Sequence, residues 1–290
     1  MDYNLFSIRS NDAGFSALAK LAVVTKEITN DEIELNFNYC KHFDANMAAP
    51  LAVILNTLIA RKNTIKIASP PWKVEEILRK NRFLQDFGYR VLEDTNHTTL
   101  PFAQIPISKP QSFAVYLDDH MEGKGIPRMT QTLEKAFRQS IFEIFVNCVG
   151  HSRSELGMFV CGQFYPYDGR LDLTISDAGI GIRQNVRRHL QDGNISSIEA
   201  IKWALKEGNT TKSGNKPGGM GLKLLKDFIL INGGKIQIAS RQGFYQFAGG
   251  NEEFIKLASD FPGTTVNLEI NTKDDHIYQL ISEATPNNIF

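Results

Sequence analysis

From Thr130 to Cys148 the apolar residues Leu133, Phe137, Ile141, Ile144, Phe145 and Cys148 fall on one side of a helical period. An unbroken pattern of nearly twenty residues predicts one long helix, and a helix with a single apolar face has to be laid against another apolar surface. The strand Leu171-Asp-Leu-Thr-Ile-Ser176 follows, with Leu171, Leu173 and Ile175 alternating. Leu222 to Ile231 reads as a further helix, stopped by Asn232-Gly233-Gly234, where glycine accepts the left-handed C-cap conformation. Strands at 235–239 and 265–270, joined by a polar hairpin-like connection, complete an α/β unit. The polar insertion from Arg183 to Pro217 carries one short apolar-periodic segment, Ile198 to Leu205.

The first third of the chain alternates in the same way. Glu32 to Asn38 puts Ile33, Leu35 and Phe37 on one face of a strand, and Met47 to Ala60, behind Asp44 or Asn46 as cap, is apolar at most positions and suits a helix packed on a sheet. Thr64 to Ala68 is a second strand. Lys73 to Arg82 is a second helix, because Val74, Ile77 and Leu78 lie at i, i+3 and i+4. Between Leu92 and Pro127 prolines and glycines come too close together for a long helix, which sets a domain boundary near residue 115. The expectation is a smaller α/β domain at 1–115, a two-layer α/β sandwich at 116–272 and a tail at 273–290.

Charge and cysteine content narrow what such a chain acts on. Lys+Arg and Asp+Glu number 32 each, so the molecule as a whole has no basic field for coating nucleic acid. Three cysteines, Cys40, Cys148 and Cys161, with no C-x-x-C spacing argue against a disulfide framework and a zinc ribbon, and fit a reducing cytoplasm. The first residues, MDYNLFSIRSNDAG, lack an apolar signal core, and no apolar run approaches eighteen residues. A cytoplasmic protein without membrane contact is expected.

Three short clusters in the second part carry the chemistry. Glu143-x-x-x-Asn147 stacks a carboxylate and an amide on one face of the long helix, with His151 a further turn along. The pair suits one group that activates water and one that ligates a hard cation such as Mg²⁺, although Glu and Asn four apart are also common on solvated faces. Asp177-Ala-Gly179-Ile-Gly181-Ile182 leaves a strand through a glycine turn, where Asp177 can accept a hydrogen bond from an exocyclic amine; a plain glycine-rich β-turn reads the same. Lys216-Pro-Gly218-Gly219-Met220-Gly221-Leu222 opens onto a helix, so that its backbone N–H groups and the positive end of the helix can cradle phosphate. It lacks the order of a P-loop.

In order and setting these clusters resemble the N, G1 and G2 boxes of the GHKL ATP-binding superfamily, which takes in gyrase-type ATPases, heat-shock chaperones and histidine kinases. Gly263-Thr264, before the last strand, looks like the family's Gly-Thr pair, so the likeness covers roughly residues 116 to 272. What it implies is an ATP or ADP site in which Asp177 meets the adenine amine with support from Thr264, and Asn147 ligates Mg²⁺. Gly179, Gly181 and Ile182 would make room for the nucleotide, and Gly218, Gly219, Met220, Gly221 and Leu222 would hold its phosphates. Glu143 stands in the place of the general base, and His151 matches a histidine of the anti-sigma-factor serine kinases. The segment 183–217 would be the lid; its seven cations (183, 187, 188, 202, 206, 212, 216) outnumber its three acids (192, 199, 207), with Lys212 and Lys216 placed for the γ-phosphate.

The first part resembles STAS-type domains more loosely, through a strand, a loop at His42-Phe-Asp-Ala-Asn46 and a helix. The phosphorylatable Ser or Thr of that family is absent from Asp44-Ala45-Asn46-Met47, which implies binding rather than phosphorylation in cis. Residues 92–127 leave no room for the helical hairpin of a sensor histidine kinase, and the tail after Ile270 is too short for the transducer of a gyrase-like enzyme. The function expected is a Mg-ATP-dependent switch with slow ATPase activity. The alternatives are a serine/threonine kinase acting on a separate protein and a non-enzymatic nucleotide module. Expected partners are ATP and another protein, with a homodimer allowed, no membrane, and nucleic acid ranked last.

Overall fold

The computed structural model describes residues 1–152, 154–209 and 220–283, with the side chains of 148–152 and 220 outside the description. The chain is mixed α/β with two sheets. Its first unit runs β1 (Asp2–Asn4), α1 (Asp12–Val24), β2 (Glu32–Asn36), α2 (Ala48–Ala60), β3 (Thr64–Ala68) and α3 (Trp72–Lys80). The three strands are parallel in the order β1-β2-β3. The rest runs β4 (Thr99–Ile105), α4 (Pro110–Met121), α5 (Gln131–Ser152), β5 (Met158–Tyr165), β6 (Arg170–Asp177), α6 (Gly181–Leu190), α7 (Ser197–Leu205), α8 (Met220–Asn232), β7 (Lys235–Ala248) and β8 (Asn251–Asn271). Its five strands form an antiparallel sheet in the order β4-β5-β6-β8-β7.

Residue 115 falls inside α4, and β4, which precedes it, already belongs to the second sheet. The region read as proline-broken therefore holds a strand and a twelve-residue helix, with Pro110 in the first turn of α4, where a missing N–H costs nothing. The connection expected to be polar between 239 and 265 is instead the continuation of β7 and β8, which pair as far as Ala248 and Asn251 across a Gly249-Gly250 turn. Among the described residues no helix is long and apolar enough to cross a membrane.

One face of the five-stranded sheet carries Met158, Val160, Leu171, Leu173, Ile175, Ile236, Ile238, Val266 and Leu268, packed against α4, α5 and α8. The opposite face is covered by α1 and α2. This explains why α2 is buried at every position from Ala48 to Leu55 and again at Leu58: it lies between the two sheets, and a helix covered on both sides needs no polar face. Phe15 of α1 touches Phe244 and Phe261 of the β7–β8 hairpin, so one apolar core joins the first unit to the back of the second sheet.

Beyond that core the contact is polar. On the back face Thr174, Asn267 and Gln237 are aligned on neighbouring strands, and all three are fully buried. Asn46 reaches them from the first unit, its Nδ2 donating to Thr174 Oγ1 at 2.9 Å and Asn267 Oδ1 at 3.0 Å, while Gln237 Nε2 donates to the Ser10 carbonyl at 3.0 Å. The next row aligns Asp172, Glu269 and Lys235. Arg170, with its guanidinium over the Tyr165 ring, lies within 3.3 Å of Asp172, 3.4 Å of Asp44 and 3.5 Å of Glu269.

Three acids, with the exposed Asp168 at 3.8 Å from Arg170 as a fourth, thus face two cations, Arg170 and Lys235. Burial, with the Glu269 charge opposite, raises the Asp172 carboxyl above its ordinary range, although Arg170 and Lys235 pull it back. A carboxyl whose pKa is higher folded than unfolded takes stability away as pH rises from the unfolded value towards the folded one. Asp172→Asn should therefore raise the melting temperature, with a gain that grows as pH climbs above the usual carboxylate range. Thermal unfolding of both proteins across that range checks this; a pH-independent difference between them would contradict it.

Candidate functional site

The expected residues that the structure describes fall in two groups, one on α5 and the first turn of α8, the other at the ends of β6 and β8. Glu143, in the fourth turn of α5 from its start at Gln131, is half-buried. Its Oε2 accepts a hydrogen bond from the Gly221 amide at 3.0 Å. Gly221 stands in the first turn of α8, so the carboxylate rests where an anion is favoured by free N–H groups and the helix dipole. A Cβ at Gly221 would lie 2.3 Å from that oxygen, so any larger residue here would push the carboxylate off the amide. Residues 143 and 221, far apart in sequence, are thereby brought together. Asn147 follows one turn after Glu143 on α5, half-buried and with its polar groups engaged.

Asp177 ends β6 directly opposite Thr264 of β8 and is almost completely buried. Its Oδ1 accepts from the Gly179 amide at 2.7 Å, which folds the Asp177–Gly179 turn back on the strand end. Gly263 closes the other side: its φ is +78°, and a Cβ there would fall 1.9 Å from the Asp177 carbonyl oxygen and 2.9 Å from the Gly179 nitrogen. Gly181 has φ +80° and opens α6, with Ile182 next in its first turn.

Ser240, which motif reasoning missed, ties these pieces together. It is buried at the point of β7 that faces Thr264, and its Oγ accepts from the Ile182 amide at 2.9 Å, lies 3.0 Å from Thr264 Oγ1 and donates to the Gly263 carbonyl at 2.9 Å. A hydroxyl is suited to this because it donates and accepts at once. The signal was present in the alternation of Ile236 and Ile238, whose next inward position is a serine rather than an apolar residue.

The lid region is described in part. α6 and α7 pack on each other through Val186, Ile195 and Ala200, with Ile182 and Trp203 against them. α7 starts with a capping box, Ser196 and Glu199 each satisfying the other's backbone N–H. Trp203 lies against His189 with ring centroids 5.2 Å apart and belongs to this small core. Arg183 donates to the Ile195 carbonyl, and Lys202 lies over the Phe254 ring, so these two cations serve local packing. Lys212, Lys216, Gly218 and Gly219 lie outside the described residues, as do the side chains of His151 and Met220. Leu222 packs at the edge of the core under α8.

Chemically the arrangement offers a buried carboxylate beside a glycine turn at one end. Some distance along, it offers a second carboxylate, an amide and the N-terminus of α8. Among the described residues there is no cluster of three metal-ligating side chains, so a cation here would need ligands from a bound molecule, as Mg²⁺ does when it is held by one or two protein groups and phosphates. No family model matches the chain, and no curated protein matches it.

Proposed function

We propose that the chain is a Mg-ATP-binding switch with slow ATPase activity, built on a GHKL-type sandwich at about 99–271 and a STAS-like first unit. The observations that support the reading are two long-range pairings of the sequence clusters, Glu143 with Gly221, and Asp177 and Gly179 with Gly263-Thr264. In this reading Asp177, beside Gly179 and Gly263-Thr264, is the acceptor for an amine, while Glu143, with Asn147 a turn further along α5, meets the N-terminus of α8. The residues suit the ligand. A near-buried carboxylate matches the exocyclic amine of adenine, and Gly221 presents an amide to whatever anion sits against α8.

In this reading Asp177 fixes the base, Asn147 holds the cation with the phosphates, and Glu143 orients water. Mg²⁺ supplies charge neutralisation on the phosphate oxygens when bound. Glu143 has two incompatible partners, since the Gly221 amide that it accepts from is also the donor a phosphate oxygen would use. Nucleotide therefore has to displace the carboxylate, which frees it for water.

Two consequences follow for Glu143→Ala. Phosphate release should fall at least 100-fold if the carboxylate is the base, within the range of general-base catalysis of about 10²–10⁴. ATP affinity should stay the same or tighten, because a competing anion has gone from the Gly221 amide. Phosphate-release kinetics and calorimetric titration check the two parts separately. Equal turnover in both proteins would remove hydrolysis from the proposal while leaving nucleotide binding to be judged by the titration.

The loop Asp44-Ala45-Asn46, where STAS-type domains carry their phosphorylation site, is buried against the sheet face opposite α5 and α8. The first unit is thus held as part of the body and is not presented to the nucleotide site as a substrate. A kinase activity, if the chain has one, would act on another protein.

A further inference from the structure

The first unit has a surface that the nucleotide reading leaves unused. In a parallel sheet the loops leaving the carboxyl ends of the strands share one edge, which is the usual place for a ligand in α/β folds. The three loops after β1, β2 and β3 each bring one aromatic and one cation to that edge. Phe6 and Arg9 follow β1, Tyr39 and Lys41 follow β2, and Trp72 and Lys73 follow β3. The aromatics are exposed where large apolar side chains are normally covered: Phe6 is 63% exposed, Tyr39 53% and Trp72 63%. Phe6 and Tyr39 stack with ring centroids 5.9 Å apart and an interplanar angle of 28°.

The loops are held in place. The Ile8 amide donates to the His42 carbonyl at 2.9 Å and the His42 amide to Ser7 Oγ at 3.1 Å, which locks the first two loops to each other. The third leaves β3 through Ser69 at φ +53°, a left-handed conformation that costs a serine energy, and then Pro70-Pro71, which fix the chain before Trp72 opens α3. Three rings are thus displayed on rigid backbone at small entropic cost for binding.

The charge of the edge is one-sided. Arg9, Lys41 and Lys73 are exposed and, among the described residues, none of them forms an ion pair. Of the acids in these loops and the first turns of the helices they lead into, Glu75 and Glu76 are engaged by Arg79 and Lys80 and Asp44 is buried, so that among the described residues of these segments Asp12 stands against three cations. Flat rings beside unpaired cations fit a partner that alternates flat rings with anions.

We propose that this edge binds single-stranded nucleic acid, its bases stacking on Trp72 and the Phe6–Tyr39 pair and its phosphates meeting Arg9, Lys41 and Lys73. The neutral charge of the whole chain excludes a coating protein, not a small local site. Stacking on exposed rings is tolerant of sequence, so the site reads the single-stranded state and not a base order. It stands apart from the nucleotide site and does not depend on it.

The chain has two tryptophans, Trp72 and Trp203, so Trp203→Phe leaves Trp72 as the reporter. Full-length protein titrated with a fluorescein-labelled oligo(U) or oligo(dT) should show a rise in anisotropy together with quenching of Trp72. The log–log slope of affinity against salt should be about −2 for three phosphate contacts. Trp72→Ala should weaken binding about tenfold. The double substitution Lys41→Glu and Lys73→Glu, on the surface and remote from the core, should abolish it. Preference for one oligonucleotide over the other would tell RNA from DNA within the proposal. Absence of binding at low salt would overturn it. So would equal binding of a duplex, which hides the base faces, or of polyglutamate, which would make the edge a dock for acidic peptides. Loss of the signal in a saturating excess of ATP would place the oligonucleotide in the nucleotide site and likewise overturn it.

Discussion

Asp177→Asn is expected to weaken ATP binding by about 100-fold or more, the size of one lost hydrogen bond to a charged group together with a new mismatch. The number of acceptors decides the effect. An ionised carboxylate only accepts, so while Oδ1 holds the Gly179 amide at 2.7 Å, the carboxylate keeps acceptor capacity that the proposed adenine amine would use. Asparagine has the same shape but one oxygen and one NH₂. Whichever way it turns, either Gly179 or the adenine amine meets a donor instead of an acceptor. If the amide oxygen keeps Gly179, the turn survives and the base is lost; if it keeps the base, the turn opens. For the same reason the wild type should prefer ATP to GTP, whose six-position is a carbonyl. Calorimetric titration with each nucleotide, beside a thermal melt of the variant, separates these cases. Unchanged ATP affinity in a variant that melts like wild type would end the assignment of Asp177. Loss of both binding and folding would instead favour a structural nucleotide.

The residues of the candidate site were legible because each is demanded by local geometry that leaves a trace in residue type. Glycines mark close backbone approach, and Glu143 and Asn147 share one face of a helix whose apolar period is plain. What the sequence left hidden came from tertiary cover. Asp172 and Thr174, and likewise Asn267 and Glu269, alternate with apolar residues as the wet face of a half-exposed strand would. They are nonetheless buried or nearly so, because Asn46 of the first unit bonds Thr174 and Asn267, and Arg170, itself beside Asp44 of the first unit, lies against Asp172 and Glu269. Period-2 alternation reports which residues are polar and cannot tell water from a polar partner.

The arms of the β7–β8 hairpin were hidden for a related reason. Past Ala239 they project beyond the body of the sheet, so Gln246, Glu252 and Glu253 make the segment look like a polar loop. β1 is three residues long, too short to show a period, and β4 contains Pro101, which argues against a strand until it is seen at the sheet edge.

The other large effect is expected at Gly263, where substitution by alanine should leave little or no folded protein. Two penalties combine there. At φ +78° a residue with a Cβ gives up roughly 1–2 kcal/mol relative to glycine. The second is steric: the added methyl would sit 1.9 Å from the Asp177 carbonyl oxygen, about half of an ordinary contact distance. That oxygen belongs to the backbone of β6, which is paired on both sides, with β5 and β8, and cannot step aside without breaking a ladder. Together the two exceed the usual cost of a point mutation, about 0.5–3 kcal/mol, and take a large share of a typical domain's stability. Gly88 supplies the control. Its φ is +87° but a Cβ there meets nothing within 4 Å, so Gly88→Ala isolates the conformational cost and should unfold only slightly more easily in urea than wild type. If Gly263→Ala were as stable as Gly88→Ala, the close approach of the two strands at this point would be wrong, and with it the tight frame that sets Asp177 against Thr264. If it folds but binds no nucleotide, the strands have parted just enough to move the carboxylate, which locates the ligand's base beside this glycine.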